Sequence, residues 1–170
     1  LVQQVNDRGV YSFCMCPGGF IVPAATANGE VVVNGMSPSK RNNEFANSGI
    51  VVEINVDKDI PKYEQFGALK GLEYQKTLER LAFTSGGRTQ TAPAQRLTDF
   101  VEGNLSRDLN STSYQPGLKS APLHSLLPKL IGGNLRKGFE AFGQKMRGYY
   151  TAEANVVGVE SRTSSPVTIP

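Results

Sequence analysis

Both cysteines of the chain, Cys14 and Cys16, stand in one short stretch, residues 11–19, Tyr-Ser-Phe-Cys-Met-Cys-Pro-Gly-Gly. A thiolate is both a nucleophile and a metal ligand, so this pair is the first place to look for chemistry. Read as a strand, the stretch sends Tyr11, Phe13 and Met15 to one face and Ser12, Cys14 and Cys16 to the other. The apolar trio is the expected core side. Pro17 has no N–H to extend a ladder, and Gly18 and Gly19 open backbone angles closed to other residues, so the thiols come to the rim of a turn. Free cysteines are also common as small, inert hydrophobes, and that reading competes with a reactive one. A disulfide is set aside, because strand positions two apart hold their Cα atoms about 6.5–7 Å from each other, at the edge of the permitted range. A structural zinc site needs about four ligands, and beyond these thiols the chain has one histidine, His124. No metal is expected.

His124 stands in Pro122-Leu123-His124-Ser125-Leu126, where a hydrogen-bonded loop or helix-start contact is the expected role. A histidine base would need a nucleophile and an orienting group, and the sequence reveals neither. Residues 160–166, Glu-Ser-Arg-Thr-Ser-Ser-Pro, place a charged pair and four hydroxyls after a strand-like run and before a proline. An ordinary polar turn has the same composition. Gly18-Gly19, Gly86-Gly87 and Gly132-Gly133 all lack the spacing and the strand-turn-helix setting of a phosphate-cradling loop. By itself, the chain is therefore not expected to bind a dinucleotide in the usual way.

The elements that must hold these residues follow from periodicity. Residues 20–25 and 30–33 flank Thr26-Ala27-Asn28-Gly29, and an Asn-Gly step between apolar runs predicts a hairpin. Residues 36–43 read as a polar loop, and residues 50–56 alternate as a half-buried strand. The period then lengthens to about 3.6. Tyr74, Leu78, Leu81 and Ala82 form the stripe of a helix over 69–84 stopped by Gly86-Gly87, and Pro93 opens a short helix to about Val101. Residues 106–119 read as a surface loop. Pro128 starts the longest helix, with Ile131, Leu135, Phe139, Phe142 and Met146 facing a core and Lys129, Arg136, Lys137, Lys145 and Arg147 on a charged, solvated face. Residues 154–162 return to an extended pattern. The expected class is α+β: an antiparallel sheet built from amino- and carboxy-terminal strands, with a helical middle packed on it.

At 170 residues, with 39% hydrophobic and 19% charged side chains, the chain is globular and long enough for a real core. No apolar run approaches the roughly 20 residues needed to span a bilayer, so no membrane partner is expected. A net charge of +3 falls far short of the dense basic stripes of nucleic-acid binders. Two unpaired cysteines and no secretory leader point to a cytoplasmic protein. Strand-like runs at both ends suggest an excised domain, residues 1–170, whose entry and exit lie close enough for insertion into a larger protein.

The run Arg8-Gly9-Val10-Tyr11-Ser12-Phe13-Cys14-Met15-Cys16-Pro17-Gly18-Gly19, with Asn34-Gly35-Met36-Ser37, Asn47-Ser48 and the 160–166 motif, resembles a family of bacterial FAD-dependent oxidoreductases, often labelled NAD(FAD)-utilising dehydrogenases. The resemblance spans essentially the whole chain and is densest in its first and last motifs. It implies a Rossmann-like FAD domain in the same polypeptide, with this piece as an inserted cap or substrate domain, inactive alone and without cofactor of its own. It also implies a small-molecule substrate, Cys14 and Cys16 on the wall facing the flavin, Pro17, Gly18 and Gly19 beside the cofactor, and Arg162, Thr163, Ser164 and Ser165 beside the cofactor or the interdomain seam in the complete protein, with the planar fork of Arg162 pairing with a phosphate or a carboxylate. Two rivals stand beside it: a binding module using the basic helix face, and a thiol redox protein using Cys14 and Cys16.

Overall fold

The computed structural model of the chain describes residues 1–162. Thr163, Ser164, Ser165 and Pro166, and the strand-like run at 167–170, lie outside the described residues. Strands β1 (Val2–Val5), β2 (Arg8–Cys16) and β5 (Asn47–Val52) form an antiparallel sheet in the order β1-β2-β5. A hairpin pairs β3 (Phe20–Pro23) with β4 (Val33–Met36). A third sheet, β7-β6-β8, takes β6 (Ala92–Arg96) as its centre, parallel to β7 (Leu118–Ser120) and antiparallel to β8 (Asn155–Val157). Helices α1 (Lys70–Ser85), α2 (Leu97–Glu102), α3 (Leu123–Leu126) and α4 (Lys129–Lys145) complete the fold, and a 3-10 segment, Pro61–Leu69, leads into α1.

The class is α+β, as periodicity predicts, but the last described strand, β8, joins β6 and not the amino-terminal strands. The two long helices fall where their stripes place them. Leu135, Phe139 and Phe142 of α4 are buried against Val10 of β2 and Leu97, Phe100 and Val101 of α2. Phe100 and Phe139 meet edge to face at 5.9 Å. A second core gathers Val31, Val33, Ala82, Ala92 and Tyr114.

Several local expectations are corrected. Pro93 starts no helix; it lies fully buried in β6, where its carbonyl accepts from the Gly158 N–H at 3.0 Å. Helix α2 begins only at Leu97. The hairpin forms at the predicted place with a longer connection: residues 24–32 bridge β3 and β4, because Glu30 and Val31 are drawn into the interior, Val31 N–H donating to the Glu79 carbonyl, while Val32 still accepts from the Ala24 N–H at 2.8 Å. The strand expected at 50–56 sits earlier, at Asn47–Val52. Residues 106–119 are not all surface loop either, since Ser106 and Tyr114 are buried and β7 begins within them.

Helix α4 approaches β2 so closely that a Cβ on Gly138 would lie 2.6 Å from Val10 Cγ1, whereas one on Gly133 would meet nothing within 4 Å. The two glycines therefore predict opposite outcomes on the same helix. Gly133→Ala should stabilise by up to about 1 kcal/mol through helix propensity. Gly138→Ala should gain the same term but lose about 1–3 kcal/mol to overpacking against the stiff Val10, for a net loss. Urea unfolding of both variants checks this; stabilisation by both would mean that the helix-strand contact is loose.

Candidate functional site

The faces of β2 are the reverse of the simple alternation expected. Val10 and Ser12 point into the core, while Tyr11, Phe13 and Met15 are exposed. The register explains where the thiols go: Phe13 pairs with Gly49 and Cys16 with Asn47, so two residues of β2 oppose one of β5. That bulge, with Cys14 at φ 48°, swings Cys14 out to solvent and turns Cys16 inward. The thiols therefore do not share a face. Cys16 Sγ donates to the Cys14 carbonyl at 3.2 Å. Even at this exposed position the desolvation the thiol meets, followed by the nearby Glu160 carboxylate and Cys16, pushes Cys14 above its ordinary value, which runs against a thiolate nucleophile. Pro17 is exposed, but Gly18 and Gly19 are covered by this chain's own backbone: at φ 58°, a Cβ on Gly18 would strike the Arg41 carbonyl, and one on Gly19 the Met36 carbonyl.

Beside this rim lies a cleft of about 680 Å³. Its walls come from Gly35 of β4, Asn47 to Val52 of β5, Tyr74 and Leu78 of α1, and the segment around Tyr149 to Ser161. The motifs that carried the family resemblance converge at one end of it. Glu160 Oε2 lies 2.5 Å, and the Phe13 ring 3.0 Å, from where a Gly49 Cβ would stand, so the opening and closing motifs meet across β5. A Cβ on Gly35 would be 2.0 Å from Asn47 Oδ1 and 3.7 Å from Cys16 Sγ. Tyr149 donates its hydroxyl to Ser12 Oγ at 2.9 Å, and Ser12 in turn faces Ser48 at 3.5 Å.

Arg162 turns away from this rim and pairs with carboxylates, one of the two partner types expected of its planar fork, in a network whose members no sequence pattern named. Its Nη2 and Nε donate to the two carboxylate oxygens of Glu79 at 2.6 and 2.9 Å, and Nη2 also reaches Glu30 Oε2 at 3.0 Å. Nη1 donates to Thr26, and Ser161 and Gln75 donate to Glu79 Oε1 at 2.6 and 3.0 Å. Glu79 is fully buried and Glu30 nearly so. Burial by itself would raise the Glu79 carboxyl; the hydrogen bonds from Arg162, Ser161 and Gln75, with the Arg162 charge, overcome it and hold Glu79 at about 2. Its partnership with Glu79 raises Arg162 correspondingly. The one sequence signal was Glu79 itself, a carboxylate next to the apolar row Leu78–Ala82; its partner 83 residues away was invisible.

His124 opens α3 in the role expected of it: its N–H donates to Gln95 Oε1 at 2.9 Å, and its Nδ1 lies 2.9 Å from Gln95 Nε2. Burial, then the neighbouring Arg136, holds it below its ordinary value. The basic face of α4 is partly spent on this chain, since Arg136 donates to the Val101 carbonyl at 2.6 Å and Lys145 to that of Val2 at 2.7 Å. Among the described residues lining the cleft there is no Lys, Arg or His. A ring system fits such walls, but a diphosphate finds no cation there. No described helix is long and apolar enough to cross a membrane.

Comparison with known proteins adds a family. Residues 1–163 match the family model described as "FAD-dependent protein, C-terminal domain-like". A Clostridium beijerinckii protein named "Uncharacterized protein" is 40% identical over 162 residues, which is 94% of this chain and 30% of that relative. The chain thus spans under a third of the relative's length.

The buried ion pair predicts an acid-sensitive fold. Because the folded Glu79 titrates at about 2 and an ordinary glutamate at 4.5, its contribution is complete above 4.5 and lost as pH falls towards 2. That contribution is roughly 3 kcal/mol at 1.36 kcal/mol per unit. Glu79→Gln should flatten the fall in stability between those two pH values relative to the wild-type chain. Arg162→Met should lose roughly 2–4 kcal/mol near neutrality, somewhat under the figure for a wholly buried pair because the Arg162 side chain keeps 28% exposure. Denaturant unfolding against pH reads both; parallel acid profiles for Glu79→Gln and wild type would remove the claim.

Proposed function

Because the chain belongs to the family of FAD-dependent protein C-terminal domain-like sequences, we propose that it is the inserted cap or substrate-binding domain of an FAD-dependent oxidoreductase, inactive alone. In this reading a Rossmann-like FAD domain of the same, cytoplasmic polypeptide holds the cofactor, which supplies the redox chemistry. The cleft takes the small-molecule substrate. The observation that carries the reading is the meeting of Gly35, Asn47 and Glu160, beside Phe13, at one end of a largely apolar cleft with no cation for a diphosphate among its described lining residues. A domain built to receive a flavin ring and a substrate, while leaving the dinucleotide's phosphates to another domain, has these properties.

The same reading assigns the individual roles. Cys14, exposed at the bulge, and the Pro17-Gly18-Gly19 turn form part of the wall facing the flavin, with Cys16 as its buried support. Arg162, gripped by Glu79 and Glu30, anchors the segment that brings Thr163, Ser164 and Ser165 to the cofactor. A thiol redox role is less well supported, because the exposed thiol is pushed up rather than down.

The 170-residue chain, purified alone, should unfold cooperatively and show no flavin absorbance, while the full-length protein should carry the flavin's visible spectrum. Stoichiometric FAD on the short chain would refute the division of labour, and a colourless full-length protein would refute the class. In the full-length protein, Cys14→Ala should shift turnover or the flavin spectrum with little loss of stability, and Cys16→Ala should lower stability first. The reverse pattern would take Cys14 off the wall.

A further inference from the structure

One end of the cleft carries polar groups that the fold itself does not use. Glu160 lines the cleft half-buried, its Oε2 over Gly49. Burial, uncompensated by any described donor or cation, holds its carboxyl above the ordinary glutamate value. Two residues along β5, the Asn47 side chain shares the Gly49 face, about 7 Å away at the strand's rise per residue. Its Oδ1 lies against Gly35, while its Nδ2 is buried and has no hydrogen-bond partner among the described residues. Unmade buried donors are rare in folded proteins because they lose hydration without replacement. Here an unused donor and an unused acceptor flank the same patch.

We propose that this end of the cleft holds an uncharged, ring-bearing small molecule that donates a hydroxyl or N–H hydrogen bond to Glu160 and accepts one from Asn47 Nδ2. The size suits it, since a cleft of about 680 Å³ lies within the usual range for small-molecule sites. So do the walls, with Val51 on the Asn47 face of β5, and Leu78 and Val159, offering apolar surface to a ring. Charge argues against the alternative class: an anion would meet the Glu160 carboxylate at low dielectric with no cation among the described lining residues to offset it. The inference deepens the substrate-domain reading and rests on it, naming the class of molecule the domain receives.

The test uses the full-length protein and two probes of one shape, naphthol and naphthalene sulfonate, measured by equilibrium dialysis at mildly alkaline pH. Leu78→Trp fills the cleft and defines the component of binding that belongs to it; Ser111→Trp, at an exposed position of the same lining, serves if Leu78→Trp does not fold. In that component, naphthol should bind about tenfold or more tighter than the sulfonate. Glu160→Gln should narrow the ratio to about twofold, and Asn47→Ala should weaken naphthol about fivefold, the worth of one net hydrogen bond. Naphthol binding that survives both cleft-filling variants would overturn the cleft as a substrate site, and the proposed function with it. Binding that they abolish, with a ratio indifferent to Glu160→Gln or an affinity indifferent to Asn47→Ala, would overturn this assignment alone.

Discussion

The guanidinium of Arg162 sits between two carboxylates that the fold has taken out of water, and much of the site depends on that arrangement. Glu79 belongs to α1 and Glu30 to the connection between β3 and β4, while Arg162 closes the described chain. An unpaired carboxylate at either place would carry a large desolvation penalty, so the helix, the hairpin loop and the carboxy-terminal segment are stable only together. The planar fork suits this, because it reaches both Glu79 oxygens and still has a donor for Glu30. The backbone follows the same lines: Val31 N–H donates to the Glu79 carbonyl, and Val33 N–H to that of Val159. Glu160, two residues before Arg162, is thereby held over β5.

With Arg162 held in this clamp, the described lining of the cleft carries no positive charge. Arg162 is neutralised, the basic residues of α4 lie elsewhere or hold backbone carbonyls, and the described walls mix aliphatic and aromatic side chains with uncharged polar ones and two carboxylates, Glu153 and Glu160. Such a surface is poor at holding phosphate and good at excluding water from a ring. The distribution of charge, like the lack of a Gly-rich phosphate loop in the sequence, supports the proposed division between a domain that binds a dinucleotide and one that shapes the space before it.

How much of this was legible in the sequence depends on the range of the interaction. The helices at Lys70–Ser85 and Lys129–Lys145 were readable because a buried stripe repeats every three or four residues, whatever lies opposite. The hairpin was readable from Asn28-Gly29, though its length was not, since Glu30 leaves the ladder for a partner far along the chain. Pro93 misled because a proline before a helical pattern commonly opens a helix; the carbonyl it contributes to β6 is visible only once residue 158 arrives beside it.

The thiol stretch shows the same boundary most sharply. The sequence by itself determined that residues 11–19 end a strand at a Pro-Gly-Gly turn, that the class is α+β, and which stretches carry the family resemblance, because these depend on local backbone preference and residue order. Tertiary structure alone decided that Cys14 faces out and Cys16 in, since a single extra residue against β5 reverses the faces and nothing in β2 announces the register of its neighbour. It alone also decided that Glu160 meets Phe13 over Gly49 and that Arg162 is held by Glu79. Contacts across more than eighty residues are chosen by packing and by the need to pair buried charge, and no local pattern encodes them.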